Sequence, residues 1–176
     1  MRKLIAGIAA LLTTSAASGT AQPVGSKQIN YRGGLVEFSI PAAWVEEYEP
    51  EGGGTFYEPG DGTGTLRLNV ISAKPPNSDA KLTSDRVLAQ IGHPASEILP
   101  NGNAISTKVS RETEQGTPPI TFWWHVANVV SPTHVRIANF SYTILSSNEG
   151  TALTKSELSF LEKSIRNASF SPVTGK

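Results

Sequence analysis

Two long apolar runs in the C-terminal half, Ile120–Val130 and Thr133–Leu145, are separated only by Ser131-Pro132. Both are rich in β-branched and aromatic residues, and a connection that short joins antiparallel neighbours. The spacing predicts a long β-hairpin. With Val130 opposite Thr133, one face collects Trp123, His125, Ala127 and Val129 with Phe140, Ala138, Arg136 and His134. The other collects Phe122, Trp124 and Val126 with Ser141, Asn139, Ile137 and Val135. Apolar groups fall on both faces, so both call for cover in the middle of the strands. A bulge would exchange the parity of half this set. In this register His125 and His134 share a face but stand about 13 Å apart along the strands, too far to ligate one metal.

The rest of the chain reads as shorter strands and two helices. Gln28–Arg32 and Leu35–Ile40 flank Gly33-Gly34, a pair that tolerates positive φ in a tight turn. Pro41 ends the second run, and Val45–Tyr48, Thr55–Glu58 and Thr65–Ala73 follow, with Leu66, Leu68 and Val70 alternating with Arg67 and Asn69. A helix is expected from a cap at Ser78 or Thr83 to about Gln90, stopped by Gly92. Ile105–Arg111 alternates as a strand. In the last element Thr154-x-x-Glu157 has the form of a capping box, and Leu158, Leu161 and Ile165 recur at helical spacing. Ala168–Phe170 is expected to dock back on the fold. The class is α+β: a largely antiparallel sheet of about six to seven strands, with two main helices packed on it as in an α/β/α sandwich.

Residues 1–21 read as an export signal, with Arg2 and Lys3 before the apolar run Leu4–Leu12 and small residues at Gly19 and Ala21. The run is less than half of the roughly 20 residues a membrane span needs. The expected organisation is therefore a signal peptide (1–21), one domain (22–172) and a frayed tail (173–176). Without Arg2 and Lys3, the 15 basic side chains fall to 13 against 15 acidic ones, a net charge of −2. The cations are scattered, which excludes a nucleic-acid stripe. The absence of cysteine excludes disulfides, thiolate metal sites and Cys nucleophiles. Export without cysteine suits a bacterial periplasm or secretion.

No cofactor, metal set or catalytic group emerges. The glycine-rich stretch Pro59–Gly64 lies between strands with no Lys after it, unlike a phosphate cradle, and one carboxylate in it cannot build a calcium site. No nucleophile elbow is present. Two binding candidates remain. Trp123 and His125 share a strand face and can floor a groove for a ligand or partner. Six acids with no base among them (Glu46, Glu47, Glu49, Glu51, Glu58 and Asp61) form either a solvated strand edge or a surface for a basic partner.

The segment Phe38-Ser39-Ile40-Pro41-x-x-Trp44, the Gly-rich acidic stretch, the strand Leu66–Ile71 and the terminal Glu157-Leu158-x-x-Leu161-Glu162-x-x-Ile165-Arg166-x-Ala168-x-Phe170 stand in that order. This arrangement resembles the Mog1/PsbP-like superfamily, including bacterial exported relatives of the DcrB type. The resemblance implies an antiparallel sheet sandwiched by helices and little about function. The lipid-anchoring cysteine of many bacterial relatives is absent here, which implies a protein free of a lipid anchor. The expectation is a non-enzymatic exported binding or adaptor protein for a protein partner or small ligand, with an immunity-type role as a special case. A small periplasmic hydrolase with a site near His125, and an envelope-stress structural protein, are the alternatives.

Overall fold

The computed structural model describes residues 25–60, 62–73, 82–113, 116–131 and 134–171. The signal-like segment 1–21 and the tail lie outside the described residues. Among the described residues nine strands and two α-helices follow one another as β1 (Ser26–Tyr31), β2 (Val36–Pro41), β3 (Val45–Tyr48), β4 (Gly54–Tyr57), β5 (Gly64–Ala73), α1 (Ser84–Gln90), β6 (Glu97–Ile98), β7 (Ala104–Arg111), β8 (Pro119–Ser131), β9 (His134–Leu145) and α2 (Ala152–Arg166). Seven strands form one antiparallel sheet in the order β3-β4-β5-β9-β8-β7-β6, and β1-β2 is a separate hairpin. Among the described residues no helix is long and apolar enough to cross a membrane.

The long hairpin forms as its sequence dictates, but its register is one residue away from expectation. A bulge between Val129 and Ser131 sets Trp124 opposite Phe140 and His125 opposite Asn139. The extra residue exchanges parity on one strand only. Trp124, Val126, Phe140, Ala138 and Tyr142 therefore meet on the first face. Trp123, His125 and Ala127 face away with Ser141, Asn139 and Ile137. His134 falls on the first face, so it does not share one with His125.

The first face carries the main core. Hairpin β1-β2 and helix α2 lie over it, bringing Ile29, Phe38, Ile40, Leu161 and Ile165 against Phe56, Leu66, Trp124 and Phe140. Phe38 meets Phe56 and Phe140 edge-on at 5.4 and 5.1 Å, and Trp44 stacks on Tyr142 at 5.9 Å. The Ser164 hydroxyl accepts from the Ser39 N–H and donates to the Ser39 carbonyl, both at 2.7 Å, pinning helix to hairpin. Beyond the helix, Ser169 bridges Glu37 through paired backbone bonds, so the chain does dock back. Among the described residues the second face is covered at one end only. There α1, with Val87 and Leu88, packs on Ala104, Ala127, Val135 and Ile137. Its stop is Gly92 at φ +82°, a conformation that favours glycine.

The start of α2 corrects one expectation. Thr151, not Thr154, is the N-cap and accepts from the Thr154 N–H at 3.2 Å. Glu157 lies on the same stripe as Leu161 and Ile165, so it turns into the core instead of back to the cap. There it is 6% exposed and accepts from the Tyr142 hydroxyl at 2.7 Å and from the Thr63 hydroxyl. Burial holds the Glu157 carboxyl above its ordinary value against the opposing Tyr142 bond, and the Glu58 charge adds to the rise.

Trp124 is 4% exposed, with its indole N–H donating to Glu162. Trp124→Ala should cost about 3–5 kcal/mol in urea melts, and Trp123→Ala on the open face only about 1 kcal/mol. Equal losses would contradict the facing assigned here. Glu157 makes a second, pH-linked prediction. A carboxyl that binds its proton more tightly in the folded state contributes stability below its ordinary pKa of 4.5 and loses it as pH rises through the folded value. The stability of the wild type relative to Glu157→Gln should thus fall as pH rises above the ordinary value of 4.5. Parallel pH profiles would show that Glu157 titrates normally.

Candidate functional site

The part of the second face that no described residue covers is a largely polar surface built from cross-strand rows. One row runs Glu47, Thr55, Arg67, Ser141, Trp123, Lys108 across six strands. At the usual strand spacing it is about 24 Å long. On one side lies the row Asn69, Asn139, His125, Ser106, and on the other the row Val45, Tyr57, Thr65, Thr143, Thr121, Ser110. Strand alternation forces this composition, because the intervening residues Leu66, Leu68 and Phe140 are the buried ones.

Trp123 stands half-buried in the middle of this surface. Its indole N–H donates to the Ser110 hydroxyl at 3.0 Å, and its ring lies nearly parallel to His125 (6.0 Å, 8°). His93, arriving on the loop after α1, stacks on the other side of His125 at 3.7 Å and 16°. His125 Nδ1 shares a 2.8 Å hydrogen bond with the Asn139 amide oxygen. Burial holds the His125 imidazole below its ordinary value; the Asn139 bond opposes this, while His93 and Lys108 add to it. A neutral ring with Nδ1–H donating to Asn139 is the consistent state.

Beside Trp123 a cleft of 230 Å³ opens between the β3-β4 turn and the sheet, lined by Gly53, Arg67, Asn69, Asn139 and Ser141. Gly53 adopts φ +140° there, and its N–H donates to the Tyr31 hydroxyl at 2.8 Å. Arg67 and Lys108 are exposed, and neither forms an ion pair among the described residues.

The acids do not converge. Glu46 and Glu47 are neighbours on edge strand β3 and alternate between its faces. Glu46 pairs with Lys27 at 3.0 Å and accepts from the Tyr48 hydroxyl at 2.7 Å, a bond that, with Lys27, holds its carboxyl below the usual range. Glu47 accepts from the Tyr57 hydroxyl at 2.6 Å. Glu49 borders the cleft, Glu51 is in the turn, and Glu58 lies past β4 toward Glu157. Asp61 lies outside the described residues. No group of three or more His, Asp or Glu that could hold a metal occurs among the described residues.

The structure thus brings Trp123 and His125 together and separates them from all the acids except Glu47 and Glu49. Sequence reading missed His93, whose loop gives no pairing signal. It also missed Arg67, Asn139 and Ser141 as site residues, although their alternation with Leu66, Leu68 and Phe140 is visible in the sequence.

No family model and no curated protein matches the chain. A solved structure from Bacteroides thetaiotaomicron is 19% identical with a TM-score of 0.55; the match covers 84% of this chain and 49% of that one, so this chain spans about half of its length. LpqN, described as involved in cell envelope biogenesis of Mycobacterium tuberculosis, is 10% identical with a TM-score of 0.52, covering 84% of this chain and 91% of that one. Cyanobacterial PsbP from Synechocystis is 11% identical with a TM-score of 0.38, covering 89% of this chain and 98% of that one. At these identities the first two likenesses speak for fold and not for activity. The chain has an α+β fold with an antiparallel sheet and a helix on each face.

Proposed function

We propose that this is an exported, non-enzymatic binding protein of the bacterial envelope, and that the open polar face around Trp123 is its recognition surface. One observation carries this reading: a pinned, half-buried Trp stands in the centre of a wide sheet face whose neighbouring positions are mostly hydroxyls and amides, with Arg67 and Lys108 forming no ion pair among the described residues, and with Tyr57 and Glu47 only toward the β3 edge. A core tryptophan would be covered and a purely solvated face would carry no indole. The acidic segment fits the bland role better. Charges along edge strand β3 discourage edge-to-edge pairing with other chains, and two of them already hold local partners. Export is supported by the signal-like segment 1–21 and by the envelope role described for the structurally similar LpqN.

A hydrolase reading has one observation in its favour. Ser106, His125 and Asn139 are directly opposite one another in a single row, in the order nucleophile, base and orienting group. Against it, the hydrogen bonds of His125 among the described residues reach Asn139 and not Ser106, and His93 covers one ring face.

Three outcomes test this function. Chain released from the periplasm by osmotic shock should begin at Gln22, and retained Arg2 and Lys3 would refute export by cleavage. A photo-crosslinking residue at Ser141 should capture an envelope component in a manner lost with Trp123→Ala, while one at Glu51 should not. Crosslinks from Glu51 alone would move the surface to the acidic edge. His125→Ala should leave any activity found in an esterase, phosphatase and amidase screen unchanged; its loss would favour the hydrolase.

A further inference from the structure

Resting on the reading of this face as a binding surface, we infer that its ligand is a carboxylated sugar chain laid across the strands over Trp123. The indole is fixed by the Ser110 bond and lies parallel to its neighbour His125, so little rotamer freedom is lost when a ring packs on it. A pyranose offers what such a site can use, an apolar C–H face for the indole and a rim of hydroxyls for the groups around it. Ser141 and Asn139 supply donors and acceptors beside the ring, and Thr55 and Asn69 supply them across the adjoining cleft. An acyl chain or an apolar protein anchor would find no continuous hydrocarbon in these rows.

The charges specify the chain further. Arg67 and Lys108 lie on β5 and β7, three strand spacings or about 14 Å apart, with Trp123 between them. Cations so separated do not converge on a single phosphate, which several donors would surround at one point. They match carboxylates repeated along an extended chain a few sugar rings long. The cleft beside Arg67 is bordered by Glu49, so a carboxylate of the chain is directed to the outer, Arg67 side and not into the cleft. At the other side the His93–His125 stack closes the face toward α1 and sets the direction in which the chain can extend.

The test uses the chain from Gln22 onward, with tetragalacturonate as probe and its fully methyl-esterified form as the same chain without charge. Titration calorimetry and tryptophan fluorescence should give a Kd at least about tenfold lower for the acid than for the ester. Trp123→Ala and the double variant Arg67→Gln/Lys108→Gln should each weaken the acid about tenfold or more, and the double variant should also flatten the salt dependence. Trp123→Phe, which keeps an aromatic face, should stay within about threefold of wild type and guards against a folding defect in the alanine variant. Equal affinity for acid and ester, or an unchanged Kd in the double variant, overturns the assignment. So does absence of binding by folded wild type to about 10 mM probe. In that last case a Trp123-dependent crosslink from Ser141 would show that the face still binds something else, which separates failure of the ligand class from failure of the surface.

Discussion

The register of the β8–β9 ladder governs the rest of the molecule. Strand β9 lies between β5 and β8, so its alternation decides which residues of three long strands go under α2 and which face outward. A slip of β9 by one residue would carry Ser141 and Asn139 into the core and expose Phe140 and Tyr142. The apolar set on the first face makes such a slip costly, because Leu66, Phe140, Trp124 and Ile144 all bury almost completely there. The bulge at Val129–Ser131 takes up the odd residue at the far end, away from the open face.

Once parity is fixed, the two faces differ in kind. The first is a closed core whose few polar members are tied together, with Glu157 sharing Thr63 and Tyr142 in a buried triangle. Such a group is tolerable only because its lone pairs are met by donors. The second face changes character along the strands. Its end near Ala127 and Ile137 is apolar and takes the seven-residue α1, while its remainder is mostly Thr, Ser, Asn, Arg and Lys, with His125 beside Trp123 and Tyr57 and Glu47 toward the β3 edge, and takes nothing more among the described residues. A short helix covers a short patch. The residues left outside are the ones able to remain hydrated, and Trp123 is the exception that gives the face chemical interest.

The edges are managed differently at the two sides of the sheet. Strand β3 ends one side with Glu46 and Glu47, while β6 covers only the first two residues of β7 at the other. Arg111 at the end of β7 is held by a bidentate bond to Glu149. These are local devices, and they bear on association more than on the core.

The sequence by itself determined the elements. Alternation in Thr65–Ala73 and Ile105–Arg111, the stop at Gly92 and the stripe ending at Ile165 are properties of a few neighbouring residues, and local sterics and burial periodicity act at that range. The resemblance carried by Phe38–Trp44 and the terminal helix likewise pointed to the antiparallel sheet with helices on it. Tertiary structure alone decided the rest. One bulge between Val129 and Ser131 separated His134 from His125, and no local signal sets its place. The stripe on α2 pulled Glu157 from a helix cap into the core, because burial of Leu161 and Ile165 outweighs one capping bond. His93 came to His125 only because α1 packs across β7, β8 and β9, and the partners of Trp123 come from strands far apart in the chain. Pairings between distant segments depend on how the whole sheet closes, and residue types along one strand do not encode that.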